Sequence, residues 1–179
     1  MKTIYLITNN PGKLLAAKSA FQDTNIELKQ LKSNFPEIQT DTSLEIARYT
    51  AVNVAKEKNI PVIREDHSLF INELSKFPGP YTSYYDKNIP AEKLLKLIRK
   101  NYTGYFEISL AYAEPKGLIK TFTYQVPIKI SKGLKGNRGN WNKILMLKDS
   151  NKTIAESTEE ENTHVWNKNF KKLAEYLKK

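Results

Sequence analysis

The sequence predicts an α/β fold: one unit built on a long, bent mixed sheet with flanking helices. Three observations carry this. The chain opens on a β-branched apolar run, TIYLIT, followed by the turn NNPG and a helical repeat. Residues 105–113 and 119–130 are long apolar–polar alternations, the pattern of strands. The chain closes on a helix that carries Trp166, Phe170, Leu173 and Leu177 along one face. No linker, internal repeat or low-complexity tail divides the 179 residues, which suffice for one core, so residues 1–179 read as a single domain.

Taken in order, residues 3–8 form the first strand and Asn9-Asn10-Pro11-Gly12 the turn after it. Residues 13–21 place Leu14, Ala17, Ala20 and Phe21 at helical spacing. Residues 26–31 alternate as a second strand, and residues 33–40 form a loop rich in Asn, Pro and Thr. Thr42-Ser43-Leu44-Glu45 fits a capping box, with Thr42 as N-cap and Glu45 reaching back; the helix behind it runs to near Asn59. Pro61-Val62-Ile63 is a short buried strand delivering Glu65 and Asp66 to its C-terminal end, and Leu69 and Ile71 alternate into a further strand. Phe77-Pro78-Gly79-Pro80-Tyr81 is a rigid aromatic turn. Residues 90–100 form a helix, Glu114-Pro115-Lys116-Gly117 turns the hairpin between the two long strands, and residues 143–148 form the last strand.

The charge balance, 29 basic against 19 acidic side chains, gives +10 and favours polyanionic partners: nucleic acid or a phosphorylated small molecule. The lysines are scattered and form no dedicated patch, so nucleic acid is not the expected partner. The absence of cysteine excludes disulfides and thiolate metal sites, and two histidines do not supply a histidine-rich one. A metal would be held by oxygen ligands, which points to Mg²⁺ or a similar hard ion. No apolar run approaches a membrane span, and the N-terminus lacks the basic region and long apolar core of a signal peptide. The expectation is a cytoplasmic protein with no membrane partner.

Two constellations carry chemistry. In Thr8-Asn9-Asn10-Pro11-Gly12-Lys13 a strand passes through a tight turn into a helix, which points main-chain N–H groups and the positive helix end at whatever docks there. Thr8 and Asn10 can donate to phosphate oxygens and Lys13 adds a point charge; the glycine spacing is not that of a Walker A loop. The second is the carboxylate set: Glu37 in the loop after the second strand, then Glu65 and Asp66. Carboxylates of this kind hold Mg²⁺ together with substrate phosphates, and one can orient or deprotonate an attacking water. Solvated acids at strand ends and an ordinary αβ turn are the alternative meanings of each segment taken alone.

In order, the strand–Thr-x-Asn-x-x-Lys–helix, Pro36-Glu37-Ile38-Gln39, the stretch EDHSLFINELSKFPGPYTSYY and KTIAESTEEEN (residues 152–162) resemble the inosine triphosphatase (ITPase) family of house-cleaning nucleotide pyrophosphatases, in its archaeal and eukaryotic branch. The resemblance is strong over residues 3–85 and weaker beyond. It implies an elongated α/β fold with a central cleft between two lobes, and a homodimer. The implied reaction is Mg²⁺-dependent cleavage, with Mn²⁺ as the alternative ion, between the α and β phosphates of a nucleoside triphosphate, giving monophosphate and pyrophosphate. By residue match, Thr8, Asn10 and Lys13 hold the triphosphate and Glu37 binds the metal. Asp66 binds metal or activates water with Glu65 beside it, Lys13 neutralises developing phosphate charge, and Phe77–Tyr81 forms a wall.

The match departs from the family at particular positions. The family glutamate three residues beyond the lysine is Ala16. The aromatic–Gly–aromatic–Asp motif that contacts the base falls on Gly139-Asn140-Trp141-Asn142, where Trp141 keeps its character and could stack on a base, with Asn142 beside it. The late family lysine falls on Glu161, and Ser-His-Arg on Val165-Trp166-Asn167, with His164 two places off; Lys168 stands in for part of the missing arginine charge. Trp166, on the apolar face of the last helix, reads as core. The triphosphate half of the pattern is kept and the base-reading half is not, so preference among ITP, dITP, XTP or altered nucleotides stays open. The alternative reading is a catalytically impaired nucleotide-binding relative acting as a sensor or interaction protein.

Overall fold

The computed structural model describes residues 2–32, 35–36 and 38–178. Among these the elements run β1 (Lys2–Ile7), α1 (Pro11–Phe21), β2 (Ile26–Leu31), α2 (Ser43–Lys58), β3 (Val62–Ile71), β4 (Pro78–Gly79), α3 (Thr82–Asn88), α4 (Ala91–Leu97), β5 (Thr103–Ala113), β6 (Ile119–Ile130), β7 (Leu145–Leu147), α5 (Glu159–Trp166) and α6 (Lys168–Leu177). The fold is α/β with a mixed sheet, as the alternations predicted.

The chain divides into two compact units. Unit 1 comprises residues 1–66, 108–124 and 159–179; unit 2 comprises residues 67–107 and 125–158. The strands β3, β5 and β6 contribute segments to both.

In unit 1 the strand order is β2-β1-β3-β5-β6. β1 pairs parallel to β2, with Ile4 opposite Leu28, and parallel to β3, with Leu6 opposite Ile63. Parallel strands need both faces covered, and the sequence supplies a cover for each. On one face Ile4, Leu6, Ile63, Leu110 and Tyr112 pack with Ala17 and Phe21 of α1 and Phe170 and Leu173 of α6. On the other, Ile7, Val62, Ala111 and Ala113 pack with Ala47, Ala51, Val54 and Ala55 of α2. The small residues of α2 let its backbone lie close to the sheet.

Local signals behave as expected. Thr42 Oγ1 accepts from the Glu45 N–H at 3.2 Å, although the Glu45 carboxylate accepts from the Thr40 and Thr42 hydroxyls rather than closing the box on the main chain. The hairpin turn closes through Gly117 N–H to Glu114 O at 3.0 Å, with Gly117 at φ 95°.

In unit 2 the order is β4-β3-β5-β6-β7, with β4 and β7 antiparallel to their neighbours. The Phe77–Pro78 peptide is cis and Gly79 sits at φ 58°, a conformation that favours glycine. Thr82 fastens the turn: its hydroxyl donates to Gly79 O at 2.6 Å and accepts from Leu69 N–H at 2.7 Å. Gly104 is required by space, since a Cβ there would overlap the Phe70 carbonyl of the neighbouring strand.

Three local readings are corrected, and one helix, α3, is added. β3 is one ten-residue strand rather than two short ones, so Glu65 and Asp66 lie in its interior and not at a C-terminal end. Strand partners on successive neighbours carry the chain past the charged pair. α3 was not anticipated, because TSYYDKN has strand-like aromatics and no apolar face; the turn anchored by Thr82 starts it. The strand expected over residues 143–148 shrinks to three residues behind a single helical turn at Trp141–Lys143. The closing helix is two, broken at Asn167, yet Trp166, Phe170, Leu173 and Leu177 still share one core.

Candidate active site

β1 ends at Ile7 and hands the chain to Thr8, which is 5% exposed. The Thr8 hydroxyl accepts from the Asn10 N–H at 3.0 Å, and its carbonyl accepts from Gln30 Nε2 at 2.9 Å, so the turn is fixed from both sides. Asn10 caps α1: its Oδ1 accepts from the Lys13 N–H at 3.2 Å. Pro11 at the first helical position has no N–H to leave unsatisfied. With Lys13's N–H taken by the cap, the Gly12 N–H is the main-chain donor still presented by the helix start. Thr8, Asn10 and Lys13 therefore come together around the start of α1.

Lys13 reaches further. Its ammonium donates to the main-chain oxygen of Glu65 at 2.8 Å, which ties the turn before α1 to the middle of β3. The two carboxylates there do not act as a side-by-side pair. Successive side chains of a strand point to opposite faces. Ile63 belongs to the α1/α6 core and Val62 to the α2 core, so alternation puts Glu65 on the α1 face and Asp66 on the α2 face. Their burial differs accordingly: Glu65 is 1% exposed, whereas Asp66 is half-buried.

On the Glu65 face stands Tyr124. Burial pushes its phenol well above the ordinary range, and the Glu65 charge adds to the shift. The Tyr124 hydroxyl donates to Val165 O at 2.7 Å, near the end of α5, and Lys168 Nζ lies 5.7 Å from its ring centroid. Tyr124 thus links Glu65 to Lys168, which is exposed at the start of α6. No motif marks this role; in the sequence Tyr124 is one alternating position of a long strand.

On the Asp66 face, buried Ser43 at the start of α2 shares a 2.9 Å hydrogen bond with Ser109, whose hydroxyl also pairs with Thr123 at 3.1 Å. Glu37, expected as a metal ligand, lies outside the described residues.

The base-reading positions are put to structural use. Trp141 is 2% exposed; its indole N–H donates to Ile89 O at 2.8 Å and its main-chain N–H to Asp86 Oδ1 at 2.9 Å. Stacking on a base would require this side chain to be uncovered. Asn140 holds the same segment, donating to Asp86 O and Ile89 O and accepting from Ala91 N–H. Asn142 packs against Gly139, at φ 68°, and its carbonyl accepts from Ala155 N–H. These residues belong to unit 2. In unit 1, Val165 accepts from Tyr124, Trp166 joins the α1/α6 core, and Asn167 donates to Ser19 Oγ at 3.0 Å. Ala16, where the family carries an acid, is a buried core residue. Glu161 and His164 are exposed on α5.

A family model described as the Ham1 family matches residues 4–176. The chain belongs to the Ham1 family. Family membership agrees with the resemblance read from the motifs. Among relatives, a dITP/XTP pyrophosphatase of Thermococcus kodakarensis is 34% identical over 96% of this chain and 95% of its own length. One of Saccharolobus solfataricus is 37% identical over 97% and 93%. The Ham1 protein of Staphylococcus aureus superposes with a TM-score of 0.78 at 24% identity, covering 99% of this chain and 98% of its own. A HAM1 protein from Coxiella burnetii gives 0.77 at 23%, covering 99% of both. These two likenesses establish the fold.

Proposed function

We propose that the protein hydrolyses nucleoside triphosphates between the α and β phosphates, releasing a nucleoside monophosphate and pyrophosphate, with deaminated purine triphosphates such as dITP and XTP as substrates. The observation that carries this reading is the 2.8 Å contact of Lys13 Nζ with Glu65 O, which sets a capped anion-binding helix start beside the carboxylate-bearing stretch of β3. Full-length identity to proteins named dITP/XTP pyrophosphatases supports the substrate class.

The residues fit a hard divalent ion, Mg²⁺ or alternatively Mn²⁺. No cysteine is present, and Asp66 offers carboxylate oxygens from a half-buried position; the family resemblance adds Glu37, outside the described residues, as the second ligand. Among the described residues no group of three His, Cys, Asp or Glu gathers; Mg²⁺ is commonly held by one or two carboxylates and completed by phosphate and water. When bound, such an ion withdraws charge from the phosphate oxygens.

The chain's own groups do the rest. Thr8, Asn10 and the Gly12 N–H receive phosphate oxygens at the positive end of α1. Lys13 meets the charge that builds on the departing phosphate. Asp66 orients the attacking water and accepts its proton. Glu65, behind the strand, positions rather than reacts: its carbonyl holds Lys13 and its carboxylate faces Tyr124, under Lys168. We carry the homodimer and cytoplasmic expectations as parts of the same proposal; light scattering tests the first.

The decisive experiment is pyrophosphate release with Mg²⁺ from dITP, XTP and ITP against ATP and GTP. Release from the deaminated set that disappears in Asp66→Asn supports the enzyme. Binding without release on every nucleotide would replace it with a non-catalytic relative that senses nucleotides. Salt-sensitive RNA or DNA binding without triphosphate affinity would replace both.

A further inference from the structure

Gly12 occupies the first turn of α1 with a helical backbone, and its φ is not in the left-handed region. Conformation therefore does not require glycine here. A Cβ at this position would overlap Glu159 Oε2, the far end of a flexible side chain, and lie 3.1 Å from Glu159 Cδ and 3.2 Å from Asn10 Oδ1. The first residue of α5 thus lays its carboxylate against the helix start formed by Thr8, Asn10 and Lys13.

Glu159 is exposed, and Glu160 and Glu161 already complement the N-terminus of α5. A carboxylate at a helix N-terminus is chemically a small relative of a phosphate: it has the same sign of charge and the same oxygen acceptors. We infer that Glu159 is a built-in anion in the triphosphate seat, which polyphosphate must displace in order to bind. The inference rests on the triphosphate reading of the α1 turn.

Its consequence follows from linkage. An internal occupant weakens every anion that uses the seat by the same factor, the inverse of the fraction of molecules in which the seat is open. For a triphosphate held by several further groups that is a modest loss. For inorganic phosphate or a monophosphate it lowers an already small affinity. After cleavage the returning carboxylate competes with bound pyrophosphate. Glu159 then sets the affinity of the phosphate site for every anion alike, without changing the ratio between them.

The test is calorimetric titration of the full chain with inorganic pyrophosphate, read without turnover, for the unaltered protein, Glu159→Gln and Glu160→Gln. Glu159→Gln is expected to tighten binding about two- to fivefold, the range of a carboxylate–helix interaction. Glu160→Gln, with the same loss of charge one residue away, is expected to change it by less than half as much. Unchanged or weaker binding in Glu159→Gln overturns the inference. So does equal tightening in both variants, which would make Glu159 one background charge among three. Glu159→Asp, which retracts the carboxylate while keeping the charge, gives an intermediate value if displacement is the cause. Absence of pyrophosphate binding in every variant removes the seat itself. Binding that responds to Glu159 without hydrolysis of any triphosphate instead removes only the activity.

Discussion

The Lys13 ammonium donates to the Glu65 main-chain oxygen across 2.8 Å, joining the start of α1 to the middle of β3. Because the acceptor is a carbonyl, the contact fixes where the ammonium sits without itself cancelling the charge. Replacing Lys13 with Met should therefore cost about 10²–10³ in kcat for dITP, as removal of one preorganised charge-stabilising group does. Lys13→Arg should recover only part of that, since a planar fork cannot occupy the same point. Pyrophosphate release measures both, and full activity in Lys13→Met would remove the turn from the mechanism.

The opposite faces of Glu65 and Asp66 predict opposite phenotypes. Asp66→Asn should abolish turnover while leaving the melting temperature within a few degrees. Glu65→Gln, in a fully buried position beside Tyr124, should shift the melting temperature and reduce the rate less. Paired kinetics and thermal melts decide this; identical behaviour of the two variants would mean that they share one site after all.

Asn169 is buried on α6 and donates from Nδ2 to the Ile108 carbonyl at 3.0 Å. Asn169→Ala strands that carbonyl, a loss of about 1–3 kcal/mol. For a chain of this length each kcal/mol lowers the melting temperature by about 2–4 °C. Urea denaturation would show the change as a lower midpoint; an unaltered midpoint would mean that water replaces the amide.

Lys2 donates to Glu114 Oε1 at 2.7 Å, and the Tyr112 hydroxyl donates to the same oxygen. These bonds, the lysine's first, hold the Glu114 carboxyl below its ordinary value, while burial and the bond to Glu114 push the Tyr112 phenol up. A carboxyl whose folded pKa is depressed stabilises the fold above its unfolded pKa and loses that contribution as pH falls through the folded value. The unaltered protein should therefore lose more stability than Glu114→Gln on acidification below about pH 4.5. Melting temperatures from pH 7 to pH 3 check it, and parallel curves would show that the trio contributes nothing.

Much of the fold was legible because its signals are local. The Thr42 cap needs only the residue three ahead of it, the Glu114–Gly117 turn only its own four residues, and the Trp166–Leu177 stripe only a helical period, which survives even the break at Asn167. What failed were readings in which neighbours along the chain stood for neighbours in space. Glu65 and Asp66 are adjacent in sequence and separated by the sheet. Trp141 looked like a surface for a base and is a buried indole bonded to Ile89. A trace of Glu159 could have been read in Gly12, a glycine within a helix that its backbone conformation does not call for.

By itself the sequence determined the α/β class, the strand–turn–helix at Thr8–Lys13 and the exclusion of thiolate ligands, since each depends on residue type and short spacing. Tertiary structure alone decided which groups meet: Lys13 with Glu65, Tyr124 with Val165 and Lys168, Gly12 with Glu159. The physical reason is that strand alternation and helix docking, not chain order, set which face a side chain occupies, and those depend on contacts between segments far apart in sequence.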